Sequence, residues 1–211
     1  MNTFFSPVMT AGILTIGAYL LGSIPWGLIF TRLFTRKDIR REGSGNIGAT
    51  NVRRTAGTLA ALLTLAGDVL KGAVPVHLTG LLVFPEPFPR DALTAAVSLA
   101  AFLGHLYPVF LKFRTGGKGV ATAAGCFAVL CPQALLVALT VFLVAAIASN
   151  HVSVGSIAAM LILPAAVWHG GAPPMTVMLA AVISVWVIDR HRDNIRRLRH
   201  GTESRIWNRR R

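Results

Sequence analysis

From Val8 to Phe30 the chain runs 23 residues without a charge. At roughly 1.5 Å per residue this is enough to cross a hydrocarbon core about 30 Å thick. Gly57 to Phe84, Ala92 to Phe113, Val120 to Ala148, Ile157 to Trp168 and Met175 to Ile188 are further apolar runs, with nearly all the charge confined between them. A hydrophobic content of 54%, a charged content of 14% and a mean hydropathy of +0.61 lie outside the soluble range. The fold class that follows is all-α: a polytopic integral membrane helix bundle, one membrane domain spanning residues 1–211.

The basic residues set the expected topology. Residues 31–56 hold seven Lys and Arg, residues 112–118 three and residues 189–211 nine, together 19 of the 21. Short cytoplasmic loops carry such an excess, so these segments are expected on the cytoplasmic side; Lys71 and Arg90 are the exceptions. An outer N-terminus and a cytoplasmic C-terminus demand an odd number of crossings. The 29-residue run Val120 to Ala148 contains Cys131-Pro132 and reads as one kinked helix or two short ones. Parity favours two, and hence seven transmembrane helices. Pro25 is expected to bend the first, and Pro85, Pro87 and Pro89 to break the chain after the second. The first 31 residues carry no Lys, Arg, Asp or Glu, so the first run lacks the positive region of a cleavable signal and is expected to persist. The net charge of +13 belongs to this topology and not to a nucleic-acid partner. Cys126 and Cys131 lie within an apolar run without metal-ligand spacing and read as small buried hydrophobes. No metal is expected.

Asp38 to Arg54, DIRREGSGNIGATNVRR, is the most informative loop. Gly43, Gly45 and Gly48 free the backbone to bend, Ser44, Asn46, Thr50 and Asn51 offer short polar groups, and Arg40, Arg41, Arg53 and Arg54 suit a phosphate. GSGNIG also spells the dinucleotide fingerprint, with Asp68 20 residues after Gly48. That fingerprint needs a strand before it and a helix after it in a βαβ unit, and here it stands between a charged stretch and a membrane-length run. Only its anion-cradling backbone survives as a reading.

In Thr115-Gly116-Gly117-Lys118-Gly119 a lysine sits among three glycines at a helix start, a geometry that favours phosphate. It is not a Walker A loop, because Lys112 stands where that motif has its first glycine and Gly119 where it has a hydroxyl. Asp68 and Lys71 share one helix face about 17 Å along the second run at roughly 1.5 Å per residue; they read as a structural pair, and His105 as an interhelical hydrogen bonder. In the tail, HRDNIRRLRHGTE places His191 and Asn194 one helical turn apart, with Arg197 below them and Glu203 beyond. The competing reading of that tail is a basic surface lying on anionic lipid. His151, Ser153 and Ser156 fall at another turn expected on the same side. Loops 31–56, 112–119 and 149–156 and the tail 189–211 are thus expected to form one active-site face.

GSIPWG at Gly22 to Gly27, EGSGNIGATNVRR at Glu42 to Arg54, GHLYPVFLKFRTGGKGVAT at Gly104 to Thr122 and HRDNIRRLRHGTE at His191 to Glu203 together resemble the bacterial acyl-phosphate glycerol-3-phosphate acyltransferases. The resemblance runs in order over nearly the whole chain. It implies a multi-pass enzyme of the bacterial inner membrane with a cytoplasmic active site. The reaction implied moves a fatty acyl group from acyl phosphate to the 1-hydroxyl of sn-glycerol 3-phosphate, opening phospholipid synthesis and giving lysophosphatidic acid and phosphate without a cofactor. Carried over by motif, Ser44, His191 and Asn194 are the catalytic candidates. Arg54 and Lys118 are the phosphate-binding cations, with Asn46, Gly43, Gly45, Gly117 and, ranked lower, Arg53 beside them. Ser153, Ser156, Lys112 and Glu203 are secondary substrate contacts. His151 stands where the family more often has an aromatic residue. The proton acceptor stays open between His191 and the leaving phosphate, as does a transient docking of the soluble acyltransferase that makes acyl phosphate.

Two other classes fit the residues less well. A thioester-using acyltransferase needs His-x-x-x-x-Asp, and none of the six histidines has Asp five residues on. A transporter for an organic phosphate would line a path with Asp68, Lys71 and the arginines, but the paired halves common in transporters are not evident as an internal repeat.

Overall fold

A computed structural model describes residues 6–82, 90–114 and 116–207. The proline turn expected at Pro85, Pro87 and Pro89, and Thr115 of the glycine-rich turn, lie outside the described residues. Those described are helical wherever they are regular, and the chain divides into two compact units, residues 1–130 and 131–211.

The first unit begins with α1 (Pro7–Gly22) and α2 (Trp26–Thr35). The expected bend at Pro25 is a full break, since Pro25 adopts φ −89°, ψ 72° and α2 restarts beyond it. Leu28 N, which a continuous helix would direct at the carbonyl of Ile24, bonds that of Pro25. The Ile24 carbonyl instead accepts Trp26 N at 3.1 Å and Lys71 Nζ at 3.0 Å. A 3-10 turn, Ile39–Arg41, leads to α3 (Ala49–Leu81). This helix starts earlier than the run from Gly57 suggests, and Gly57, at φ 86°, ψ 178°, is a kink inside it. Residues 49–56 are helical because Asn51 and Val52 are buried under the preceding loop, in a core shared by Leu28, Ile39, Ile47, Ala60 and Ala61.

Beyond the kink α3 is reversed relative to a soluble helix. Leu59, Leu62, Leu70, Leu78 and Leu81 point outwards, while Thr64, Asp68, Lys71 and Thr79 point inwards, as expected where lipid is the solvent. Small residues let backbones approach. A Cβ on Gly72 would meet the Thr122 carbonyl and one on Gly125 the Val69 carbonyl, which joins α3 to α5 (Val120–Leu130). Gly22 and Gly104 play the same part between α1 and α4 (Arg90–Leu106). Tyr19 Oη donates to the Tyr107 carbonyl at 2.6 Å, and Ser23 Oγ accepts Val109 N at 3.3 Å, clipping the end of α4 to the α1–α2 break.

The second unit is α6 (Pro132–Ser149), α7 (Val152–His169), α8 (Pro174–Asp189) and the short α9 (Arg192–Arg199). Its start resolves the run from Val120 to Ala148: α5 ends at Leu130, Cys131 is non-helical at φ −154°, ψ 78°, and Pro132 opens α6. Gly155 admits α6 against α7 at Phe142 and Ala146. Among the described residues five helical stretches are long and apolar enough to cross a membrane, six if α8 and α9, bent by 51°, count as one. At 11 residues α5 is shorter.

Candidate active site

The loop between α2 and α3 is built on one buried side chain. Asn51, 2% exposed, donates from Nδ2 to the carbonyls of Glu42 at 2.9 Å and Asn46 at 3.0 Å, and its Oδ1 accepts Ser44 N at 3.0 Å. The chain can close this tightly because Gly43 and Gly45 take φ of 57° and 70°, where a Cβ is disfavoured; a Cβ on Gly43 would also strike Asn51 Oδ1. Asn46 Oδ1 accepts Gly48 N at 2.9 Å. This oxygen therefore shapes the turn that opens α3.

The cations around the loop fall into two groups. Asp38 accepts Arg40 Nη2 at 2.6 Å and Nε at 2.9 Å and lies 3.6 Å from Arg32; Lys37 pairs with Glu42 at 3.6 Å. Hydrogen bonding from Arg40 holds the Asp38 carboxyl well below the usual carboxylate range, and Asp38 raises Arg40 in return. Arg53 and Arg54, exposed in the first turns of α3, take part in no ion pair or side-chain hydrogen bond among the described residues. The Ser44 hydroxyl, also exposed, has no hydrogen bond among the described residues. Arg36 and Arg41 likewise have no ion pair among the described residues, so the loop and the start of α3 offer four guanidinium groups, a hydroxyl and the positive end of a helix whose cap, Gly48, supplies no side chain.

The second loop of this unit turns back on α4. Lys112 and Phe113 adopt φ of 54° and 60°, and Gly117 N donates to the His105 carbonyl at 3.1 Å. Gly116, Gly117 and Gly119 are buried and Lys118 half-buried; Lys112 is exposed. Behind them Asp68 Oδ1 lies 2.8 Å from Lys71 Nζ and 3.5 Å from His105 Nδ1. The three side chains assigned a structural part from sequence are therefore one cluster.

In the second unit the organising group is Glu203. Its Oε1 accepts Ser153 Oγ at 2.8 Å and Asn194 Nδ2 at 2.6 Å, and its Oε2 accepts Arg197 Nε at 2.7 Å. Burial pushes this carboxyl up, but the three donors outweigh it and hold it below the usual range. His191, 2% exposed, places Nδ1 2.7 Å from the Val187 carbonyl. A carbonyl only accepts, so Nδ1 carries the proton and the basic nitrogen of the neutral ring is Nε2. Ser156 Oγ donates to the Val152 carbonyl at 3.0 Å, within its own helix, and His151 Nδ1 lies 2.6 Å from the Ser149 carbonyl. Asn150, at φ 61°, clamps the tail: its Oδ1 accepts the backbone N–H of Ile206 and Trp207 at 3.1 Å each, and its Nδ2 donates to the Trp207 carbonyl at 2.8 Å.

Within the first unit the structure gathers Gly43, Ser44, Gly45, Asn46 and Asn51 on one turn followed by Arg53 and Arg54, and within the second Ser153, Asn194, Arg197 and Glu203 around one carboxylate. Sequence reasoning undervalued Asn51 and passed over Asn150. An Asn lying just after a Gly-rich turn, with short polar residues before it, is a recognisable candidate for such a turn-holding role. Nothing near Asn150 in sequence points to residues 206 and 207.

A family model for glycerol-3-phosphate acyltransferase matches residues 12–201. The glycerol-3-phosphate acyltransferase of Syntrophotalea carbinolica is 50% identical over 194 residues, covering 92% of this chain and 96% of that protein. The corresponding protein of Geobacter sulfurreducens is also 50% identical, with the same coverage. Among solved structures, the glycerol 3-phosphate form of the integral membrane glycerol 3-phosphate acyltransferase PlsY matches with a TM-score of 0.85 at 37% identity, over 94% of this chain and 96% of that one. Its lysophosphatidic acid form matches with a TM-score of 0.82 at 36% identity and the same coverage.

Proposed function

The chain belongs to the glycerol-3-phosphate acyltransferase family, and from that premise we propose that it transfers a fatty acyl group from acyl phosphate to the 1-hydroxyl of sn-glycerol 3-phosphate. The products are lysophosphatidic acid and inorganic phosphate, and the step opens phospholipid synthesis in a bacterial inner membrane. The observation that carries this reading is the sorting of cations on the first loop. Asp38 and Glu42 pair with Arg32, Arg40 and Lys37, while Arg36 and Arg41 on the loop and Arg53 and Arg54 at the start of α3 have no ion pair among the described residues. A site for anionic substrates needs such uncompensated charge.

Acyl phosphate is a mixed anhydride and already activated, so the protein need supply no covalent nucleophile; it must bring a hydroxyl onto a carbonyl and stabilise the oxygen that becomes negative. The glycerol oxygen bonds to the acyl carbon, the bond from that carbon to the phosphate oxygen breaks, and the hydroxyl proton leaves. Arg54 and Lys118 are assigned to substrate phosphate, with Arg53 beside them; Lys112 is a peripheral cation. Gly43, Gly45 and Gly117 shape the turns that present these cations, since Gly45 N and Gly117 N already donate to the carbonyls of Glu42 and His105. Ser44 is assigned to the developing oxyanion. In the second unit Asn194 and Ser153 contact substrate. His191 Nε2 is our choice of proton acceptor, and the leaving phosphate is the alternative. A His191→Gln variant that keeps near-wild-type kcat would select the phosphate.

For topology we propose seven crossings, counting the broken α1–α2 pair as one and α5 as a short one, with the N-terminus outside and the C-terminus and active site cytoplasmic. The support is the Lys and Arg distribution. Transient docking of the soluble enzyme that makes acyl phosphate fits this orientation and requires no further residue.

The test follows phosphate released from palmitoyl phosphate by the purified, lipid-supplemented protein, with and without glycerol 3-phosphate, in a chelator. Release that requires both substrates and survives chelation is expected. Glycerol 3-phosphate binding without release would turn the reading towards transport.

A further inference from the structure

Asp68, Lys71 and His105 are 3 to 4% exposed, and ionisable groups placed inside an apolar bundle are costly. An anchor between helices needs only two of them. Lys71 Nζ, 2.8 Å from Asp68 Oδ1 and 3.0 Å from the Ile24 carbonyl, already ties α3 to the α1–α2 break. His105 adds something else. Its Nδ1 faces the same Asp68 oxygen at 3.5 Å, its carbonyl accepts Gly117 N at 3.1 Å, and its ring lies so close to Gly117 that a Cβ there would overlap Nε2. The rest of the turn is fitted with the same tightness: a Cβ on Gly116 would meet the Leu106 carbonyl, and Gly119, at φ 87°, turns beneath the Phe102 ring. The glycines are therefore required by the surface of α4 as well as by any anion.

We infer that Asp68 and His105 are positioning residues for the glycine-rich turn. Asp68 sets the orientation of the imidazole, the ring and carbonyl of His105 seat Gly117, and this fixes the point from which the Lys118 side chain departs. The inference deepens the assignment of Lys118 to substrate phosphate and rests on it.

The experiment compares full-length His105→Gln, Asp68→Asn, Lys118→Ala and Val97→Ala, each purified with lipid, by kcat, both KM values and thermal melting. Val97 is fully buried in the same unit, in a cluster with Ala18, Val76, Ala101 and Cys126 that holds no residue of the turn, so Val97→Ala is the packing control. His105→Gln is expected to raise at least one KM about tenfold, for the same substrate whose use Lys118→Ala impairs, with kcat of the folded fraction within about threefold of wild type. Asp68→Asn should move the same KM in the same direction, and this keeps the inference testable if His105→Gln does not fold. Val97→Ala should lower the melting temperature without moving either KM. If His105→Gln and Asp68→Asn behave like Val97→Ala while Lys118→Ala is inactive, the positioning role is refuted and the phosphate assignment stands. If Lys118→Ala has wild-type kinetics, the phosphate assignment fails and the inference goes with it.

Discussion

Asn51→Asp replaces one NH2 group by an oxygen and leaves the side-chain shape intact, so it tests whether the first loop depends on a single buried amide. Two hydrogen bonds vanish, those to the carbonyls of Glu42 at 2.9 Å and Asn46 at 3.0 Å, each with a net worth of roughly 0.5 to 1.5 kcal/mol. A carboxylate oxygen then faces two carbonyl oxygens at about the same separation, and this repulsion adds a cost of at least similar size. The total is about 3 kcal/mol, directed at residues 42–46 and not at the helices. Loops commonly have no more than a few kcal/mol of local stability, and each 1.4 kcal/mol is about a factor of ten in population. The ratio of formed to open loop should therefore fall about a hundredfold, and for a loop with about 1.4 kcal/mol of local stability the formed fraction, and with it kcat/KM measured by phosphate release, should fall about tenfold. Helix content and melting temperature should change little. A folded Asn51→Asp protein with kcat/KM within about threefold of wild type would refute the view that this amide holds the loop.

The two groups of arginines should separate in the same assay. Arg54→Ala is expected to lower activity by several orders of magnitude, whereas Arg40→Ala, which loses an exposed pair with Asp38 worth at most about 1 kcal/mol, should stay within about threefold; equal losses would contradict the sorting. For Glu203 the sign follows from a folded carboxyl held below its usual value of 4.5. Its contribution is complete above that value and is lost as pH falls through the lower folded one. Thermal melts over a range of pH should accordingly show Glu203→Gln less stable than wild type near neutrality and flatter in acid, and parallel profiles would remove the tail clamp from the account. Ser153→Ala, which leaves Glu203 its Asn194 and Arg197 donors, should lower the melting temperature less than Glu203→Gln, with the reverse order counting against Glu203 as the organising group.

The helices were legible where the cause was local. Pro132 ends one helix and begins another because its ring and missing N–H act on its immediate neighbours, and the charge-poor runs mark helices because lipid-facing segments exclude charge. The start of α3 was not legible in this way. Residues 49–56 become helical through burial of Asn51 and Val52 against Ile39 and Ile47, a tertiary gain that a count of charges does not contain. Nor does composition distinguish a bend from a break at Pro25, since that depends on which partners Ile24's carbonyl finds, and beside Trp26 N one of them is 47 residues away at Lys71.

The candidate site divides along the same line. The residue types that bind phosphate can be read from sequence, but which cations keep their charge available cannot be read from their number. Arg40 and Arg54 are equivalent in composition and opposite in circumstance, because Asp38 stands two residues before Arg40 and, among the described residues, no carboxylate pairs with Arg54. The local part of that distinction, an acid at short spacing, could have been used to rank the arginines. The rest depends on where α3 carries Arg54 once Asn51 has closed the loop. Glu203 shows the converse: an acid within a basic tail resembles a substrate contact until its three donors, Ser153, Asn194 and Arg197, are seen to be the groups it holds. A carboxylate accepting three bonds has most of its roughly four acceptor sites occupied. Within the second unit, then, Glu203 holds Asn194, Ser153 and Arg197 in place, and the substrate contact proposed for this unit is assigned to Asn194, Ser153 and His191.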